Sequence, residues 1–165
     1  MWNDLRRYRR NLNRYWHTPT SRKCLLAEAL LALAVARAAM ALLPFRRIAS
    51  WLGTPGAETP ATASADQIHA AQEIGWAVGT LARRIPWDGR CLAQALAASA
   101  MLRRRGLEGT VSFGARASGS TQTSDTPVSP AFEAHAWLRV GDCIVTGGAA
   151  HHSFKTFTTF ARRQP

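Results

Sequence analysis

Acidic residues are scarce in this chain. Ten Asp and Glu stand against 21 Lys and Arg in 165 residues, a formal net charge of +11. Charged residues together make up only 19% of the sequence, while apolar ones make up 47%. That balance excludes wholesale disorder and supplies the core of one compact domain. Cysteine is also sparse. Cys24, Cys91 and Cys143 form no Cys-x-x-Cys pair and no even set, which argues against a disulfide-stapled secreted scaffold and fits a reducing, cytoplasmic setting. There is no Gly-rich phosphate loop, no His-Glu-x-x-His and no internal repeat, so P-loop and zincin chemistry fall away, and no cofactor or metal is expected. The excess of positive charge favours an anionic partner: nucleic acid, an anionic membrane face or an acidic peptide.

What is present begins with a basic, aromatic segment over residues 1–24. Arg6, Arg7, Arg9, Arg10, Arg14, Arg22 and Lys23 alternate there with Trp2, Tyr8, Tyr15 and Trp16. The segment lacks the small-residue cleavage pattern of a signal peptide. From Leu25 to Leu43 the sequence is rich in Ala and Leu without Gly or Pro, which predicts a helix. Glu28 and Arg37 inside it favour a buried core helix over a membrane span, with peripheral membrane contact as the alternative. Pro44 breaks the run, a short helical stretch follows over Arg46–Leu52, and Gly53–Ala65 reads as a loop. Asp66 is placed to cap a helix from Gln67 to about Ile85. Asp88-Gly89-Arg90 opens a third helix that runs through Arg105 to Gly106.

The period then changes. Thr110–Arg116 alternates as a strand, Ala117–Pro130 is a polar loop, and Phe132–Val140 alternates again. Gly141-Asp142 is a turn into a return strand, Cys143–Thr146, which makes a hairpin. Phe154, Phe157 and Phe160 bring the following segment back onto the sheet. Helices first and antiparallel strands later predict an α+β fold, N-terminal helices packed on a small antiparallel sheet.

Two residues carry the candidate chemistry. Cys91 falls in the first turn of the third helix, where unpaired backbone N–H groups and the helix dipole favour a thiolate, the reactive form of a nucleophile. His135 sits within Ala134-His135-Ala136-Trp137-Leu138. Ala134, Ala136, Leu138 and Val140 are expected to face the core, with His135, Trp137 and Arg139 on the other side. A strand holds an imidazole firmly enough to serve as a base, and Trp137 beside it would screen the site from water. A Cys at a helix N-terminus followed by a His on a later strand is the layout of papain-like and transglutaminase-like thiol enzymes. Gln94, one turn past Cys91, is a candidate to polarise a scissile carbonyl, although the Cys91 backbone N–H is the better oxyanion donor. Cys24 and Cys143 read as structural.

The segments Cys91-Leu92-Ala93-Gln94-Ala95-Leu96, Met101–Gly106 and Phe132–Arg139, with Val145-Thr146-Gly147-Gly148 and Leu43–Arg47, resemble the lasso-peptide biosynthesis B-protein family, the bacterial transglutaminase-like leader peptidases. The resemblance spans roughly residues 25–162. It implies a papain/transglutaminase-like peptidase domain over 25–165 behind the basic segment 1–24. It also implies a cysteine endopeptidase that removes the leader from a ribosomally made precursor, with Cys91 and His135 catalytic. The family works beside an ATP-dependent macrocyclase and often a small leader-binding domain, for which residues 1–24 are too short; a separate recognition protein is therefore expected. Its triad includes an Asp. In a two-residue hairpin Leu138 pairs with Val145, and glycines 147 and 148 fall opposite His135. Asp142 is at the turn tip and is not assigned. A backbone carbonyl, a water, Thr146 or a carboxylate from elsewhere remains to orient the ring. Two other readings stay open: a non-catalytic basic protein for nucleic acid or anionic membrane, and an acyltransferase using the same pair.

Overall fold

The computed structural model describes residues 20–85, 91–117, 132–148 and 151–162. Most of the basic segment, the Asp88 turn and most of the polar loop before Phe132 lie outside the described residues. Those described form four α-helices and a five-stranded antiparallel sheet: α1 (Thr20–Leu42), α2 (Phe45–Leu52), β1 (Thr54–Pro55), α3 (Ala65–Ala82), α4 (Cys91–Arg103), β2 (Thr110–Ala117), β3 (Phe132–Val140), β4 (Cys143–Thr146) and β5 (Lys155–Ala161), with a 3₁₀ turn at His151–Ser153. This is the α+β arrangement expected, with helices on a small antiparallel sheet. The strand order is β1-β5-β2-β3-β4.

α4 sits at the centre. Ala93, Ala95, Leu96, Ala97, Ala98, Met101 and Leu102 are all buried, so the helix is apolar around most of its circumference and covered on most sides. α1 and α3 pack on it, and it packs on β3 and β4. The sheet supplies Val111, Phe113, Ala136, Leu138, Val140 and Phe160 to the same core. Phe113 meets Phe45 and Phe160 edge-on, with ring centroids 5.8 and 5.6 Å apart.

Several local expectations need correction. Ser64, not Asp66, caps α3: its side chain accepts from the Gln67 N–H while the Gln67 side chain accepts from the Ser64 N–H. This capping box satisfies two end donors at once, which a lone Asp at the second helical residue cannot do. The 53–65 segment is not simply a loop. Thr54 and Pro55 pair with Ala161 and Phe160, Thr59 bonds Thr110 through both backbone and hydroxyl, and Arg139 reaches Glu58 at 2.8 Å. α4 ends at Arg103 because Gly106 takes a left-handed conformation (φ +67°) and the Leu107 N–H turns back to the Leu102 carbonyl. The Phe-rich segment becomes β5, inserted between β1 and β2. An irregularity beside Phe113/Gly114 leaves Phe157 without a partner in β2 and exposed.

α1 is buried on one face only. Ala29, Leu33, Ala36 and Ala39 are in the core, whereas Leu31, Val35 and Leu42 are 62%, 55% and 80% exposed. Its expected status as a core helix thus holds for half its circumference. Glu28 anchors that inner half: Arg105 binds it through two nitrogens at 2.6 and 3.0 Å. Those hydrogen bonds hold the Glu28 carboxyl below the usual range against the opposing effect of burial, and the charges of Arg105 and Arg104 add to them. A carboxyl depressed in the folded state stabilises above its unfolded pKa and loses that contribution as pH falls through the folded one. Glu28→Gln is therefore expected to cost about 0.5–1 kcal/mol near neutral pH. The gap to the parent protein should close in acid, as read by urea denaturation at both pH values.

Candidate active site

Cys91 is the first residue of α4, half-buried against the core. The far end of α4 leads through residues 104–109 into β2, whose first residue pairs with Arg139 near the end of β3. The helix of 13 residues is about 20 Å long. It packs against β3, the strand that carries His135.

His135 lies opposite Gly114 in β2. Ala136, Leu138 and Val140 point to the helices, so His135 and Trp137 occupy the other face, as alternation requires. Gly114 leaves room for them: a Cβ there would stand 2.9 Å from the Trp137 ring and from Phe154 Cβ. The imidazole stacks on Phe154 with centroids 4.9 Å apart and lies nearly parallel to Trp137 at 6.0 Å. Trp137 is itself buried and contacts His151. Arg116 lies over the far ring, 4.8 Å from the Phe154 centroid, and pairs with Glu133. Sequence reasoning found Trp137 but missed Phe154. The signal was Gly114, a glycine within an alternating strand, which marks a close approach by another group.

The imidazole is held by a main-chain carbonyl. Nε2 lies 2.9 Å from the Gly147 oxygen. A carbonyl only accepts, so Nε2 carries the proton and, in the neutral ring, Nδ1 is the nitrogen able to accept one. The hairpin register differs from the expected one. Leu138 pairs with Thr146, and a bulge beside Arg139 takes up one residue. Val145, the residue the bulge leaves without a partner in β3, lies against α3, where a Cβ at Gly75 would clash with its carbonyl. Thr146 does not orient the ring: its hydroxyl is buried with no hydrogen-bond partner among the described residues. Asp142 is exposed at the hairpin turn, about five strand residues from His135, or on the order of 17 Å.

Cys91 begins a helix packed on the core face of the sheet, whereas His135 projects from the opposite face, so the described residues do not bring the two side chains together, and no hydrogen bond joins them. Gln94 is half-buried one turn into α4. Cys24 is exposed, and Cys143 is half-buried with its thiol 3.9 Å from the Ile144 carbonyl. No cluster of three or more metal-ligating side chains occurs among the described residues.

The family profile described as the transglutaminase-like superfamily matches residues 30–159. The chain belongs to that superfamily. It includes cysteine proteases and transglutaminases, and the matched span contains both Cys91 and His135. No curated protein and no solved structure matches the chain. In this transglutaminase-like domain, the group that holds the His135 ring is the main-chain carbonyl of Gly147. Its φ is +77°, and a Cβ would approach the Ala136 oxygen to 2.6 Å and Trp137 Cβ to 2.8 Å. Gly147→Ala is expected to cost about 1–3 kcal/mol of stability through strain and overpacking. It should also release the His135 ring N–H, read by denaturant unfolding and by loss of a slowly exchanging imidazole proton in NMR spectra.

Proposed function

We propose that this protein is a cysteine endopeptidase that removes the leader from a ribosomally synthesised lasso-peptide precursor before macrocyclisation. The reading rests on a thiol at the start of the central helix and an oriented imidazole on β3, the strand against which that helix packs. The superfamily supports thiol chemistry of this type. The finer assignment is supported by the Cys91–Leu96 and Phe132–Arg139 segments, which resemble the leader peptidases.

In this mechanism the Cys91 sulfur attacks the scissile carbonyl carbon while His135 Nδ1 takes the thiol proton. The backbone N–H of Cys91 stabilises the oxyanion. Collapse breaks the C–N bond, and the imidazolium returns its proton to the departing amine. Water, deprotonated by the same nitrogen, then cleaves the thioester and restores the thiol. The Gly147 carbonyl holds Nε2–H throughout, which keeps Nδ1 as the working nitrogen. Phe154 and Trp137 flank the ring and exclude water from one side.

The same proposal places the protein in the cytoplasm, acting on its precursor with a separate leader-recognition protein and an ATP-dependent macrocyclase. Local concentration and register, which an unspecific positive surface does not supply, would come from those partners.

Cys91→Ala is expected to abolish precursor cleavage with the fold intact by circular dichroism, while Cys24→Ala and Cys143→Ala retain it. Normal turnover by folded Cys91→Ala protein would refute the mechanism. Asp142→Asn is expected to lose less than about tenfold in rate, under ~1.4 kcal/mol of transition-state stabilisation. A loss of several hundredfold would make Asp142 the group that orients the base.

A further inference from the structure

The outward face of α1 has no counterpart in the site chemistry. Leu31, Val35, Ala38 and Leu42 recur there at helical spacing and are exposed, forming an apolar stripe roughly 17 Å long at the rise of an α-helix. α2 continues it with Phe45 and Trp51, both large and exposed. An apolar groove of about 210 Å³ opens beside the stripe, lined by Leu31, Val35, Trp51, Leu96 and Met101. Isolated exposed apolar residues are ordinary, but a continuous patch marks a contact surface.

Charge identifies what covers it. No acidic residue occurs between Glu28 and Glu58. Arg37 flanks the stripe, and Arg46 and Arg47 are exposed on α2 beside Phe45. The other surface arginines of this region are engaged: Arg22 by Glu73, Arg104 and Arg105 by Glu28, and Arg103 by the Trp51 carbonyl. Arg37, Arg46 and Arg47 have no acidic partner among the described residues. Apolar side chains with Trp and Phe at their margin, rimmed by unneutralised arginines, match the boundary of an anionic bilayer. A second copy of the chain fits poorly, because it would bring the same arginines face to face under a net charge of +11 on each. Arg22–Leu42 is by length and composition apolar enough to cross a membrane. The two-nitrogen grip of Arg105 on Glu28 ties its inner face to α4 instead, so the helix is suited to lie on the surface.

We propose that the α1–α2 face is a docking surface for anionic lipid membranes, seating the domain peripherally. The test is sedimentation of the full chain with large vesicles of phosphatidylcholine alone, or with about a third phosphatidylglycerol, at low and physiological salt. Binding to the anionic vesicles at both salt levels is expected, with little binding to the neutral ones. Leu31→Glu with Val35→Glu, and separately Arg46→Glu with Arg47→Glu, should each weaken partitioning by about tenfold or more, with unchanged circular dichroism and melting. Arg46→Lys with Arg47→Lys should retain it. The proposal is overturned by absence of anionic-vesicle binding at physiological salt, or by binding that all these variants preserve, which would place it in the basic segment 1–24. It is equally overturned by a lipid-free dimer in light scattering that Leu31→Glu dissolves, or by capture of an acidic protein in place of lipid. Cys91→Ala should bind vesicles like the parent, so this result and that for peptide cleavage are read separately.

Discussion

The close approach of helices to sheet around α4 is the constraint on which the other features rest. That helix is made chiefly of alanine where it is buried, and small side chains let α1, α3 and two strands crowd around one axis. At the same layer a glycine in α3 allows its backbone to come against the Val145 carbonyl. This contact accompanies the bulge that shifts β4 by one residue, and the shift carries the Gly147 carbonyl to the His135 ring. A larger residue at Ala95 or Ala98, both wholly buried, would disturb the helix that begins at Cys91 and the elements packed on it.

Much of this was legible in the residues. The alternation of Phe132–Val140 put Ala136, Leu138 and Val140 on the core face and His135 and Trp137 on the other, because the pleat has a fixed period of two, but Ala134, expected in the core, is exposed. Gly141-Asp142 located the hairpin turn, and Pro44 and Gly106 located helix ends. The failures have physical causes. Thr54-Pro55 became an edge strand only because β5 arrives beside it, a pairing more than a hundred residues distant that no local pattern records. The bulge beside Arg139 leaves no mark in the local alternation of residues. Ser64 outcompeted Asp66 as a cap because Gln67 stood three residues later to complete the reciprocal bond. At the candidate site, the residue types and their order were readable. The atom that holds the ring was not, because a backbone carbonyl carries no side-chain signature.

That atom changes the character of the site. A carboxylate would stabilise an imidazolium electrostatically as well as orient it, whereas a neutral carbonyl orients with a weaker charge interaction. The stacked Phe154 and the buried Trp137 take over part of the positioning. The imidazole is held by shape and by a single main-chain bond, and Arg116 lies over Phe154 from outside.

The placement of β5 also has a consequence for how the molecule comes to exist. It is made after β4 yet lies between β1 and β2, with residues separated by more than a hundred positions brought side by side. During synthesis β2 must wait with one edge open until residues 155–161 leave the ribosome. Phe154, which immediately precedes that strand, reaches the imidazole at the same late moment. A nascent chain therefore carries Cys91 long before the wall around His135 can be assembled, and the thiol and its base mature on different clocks.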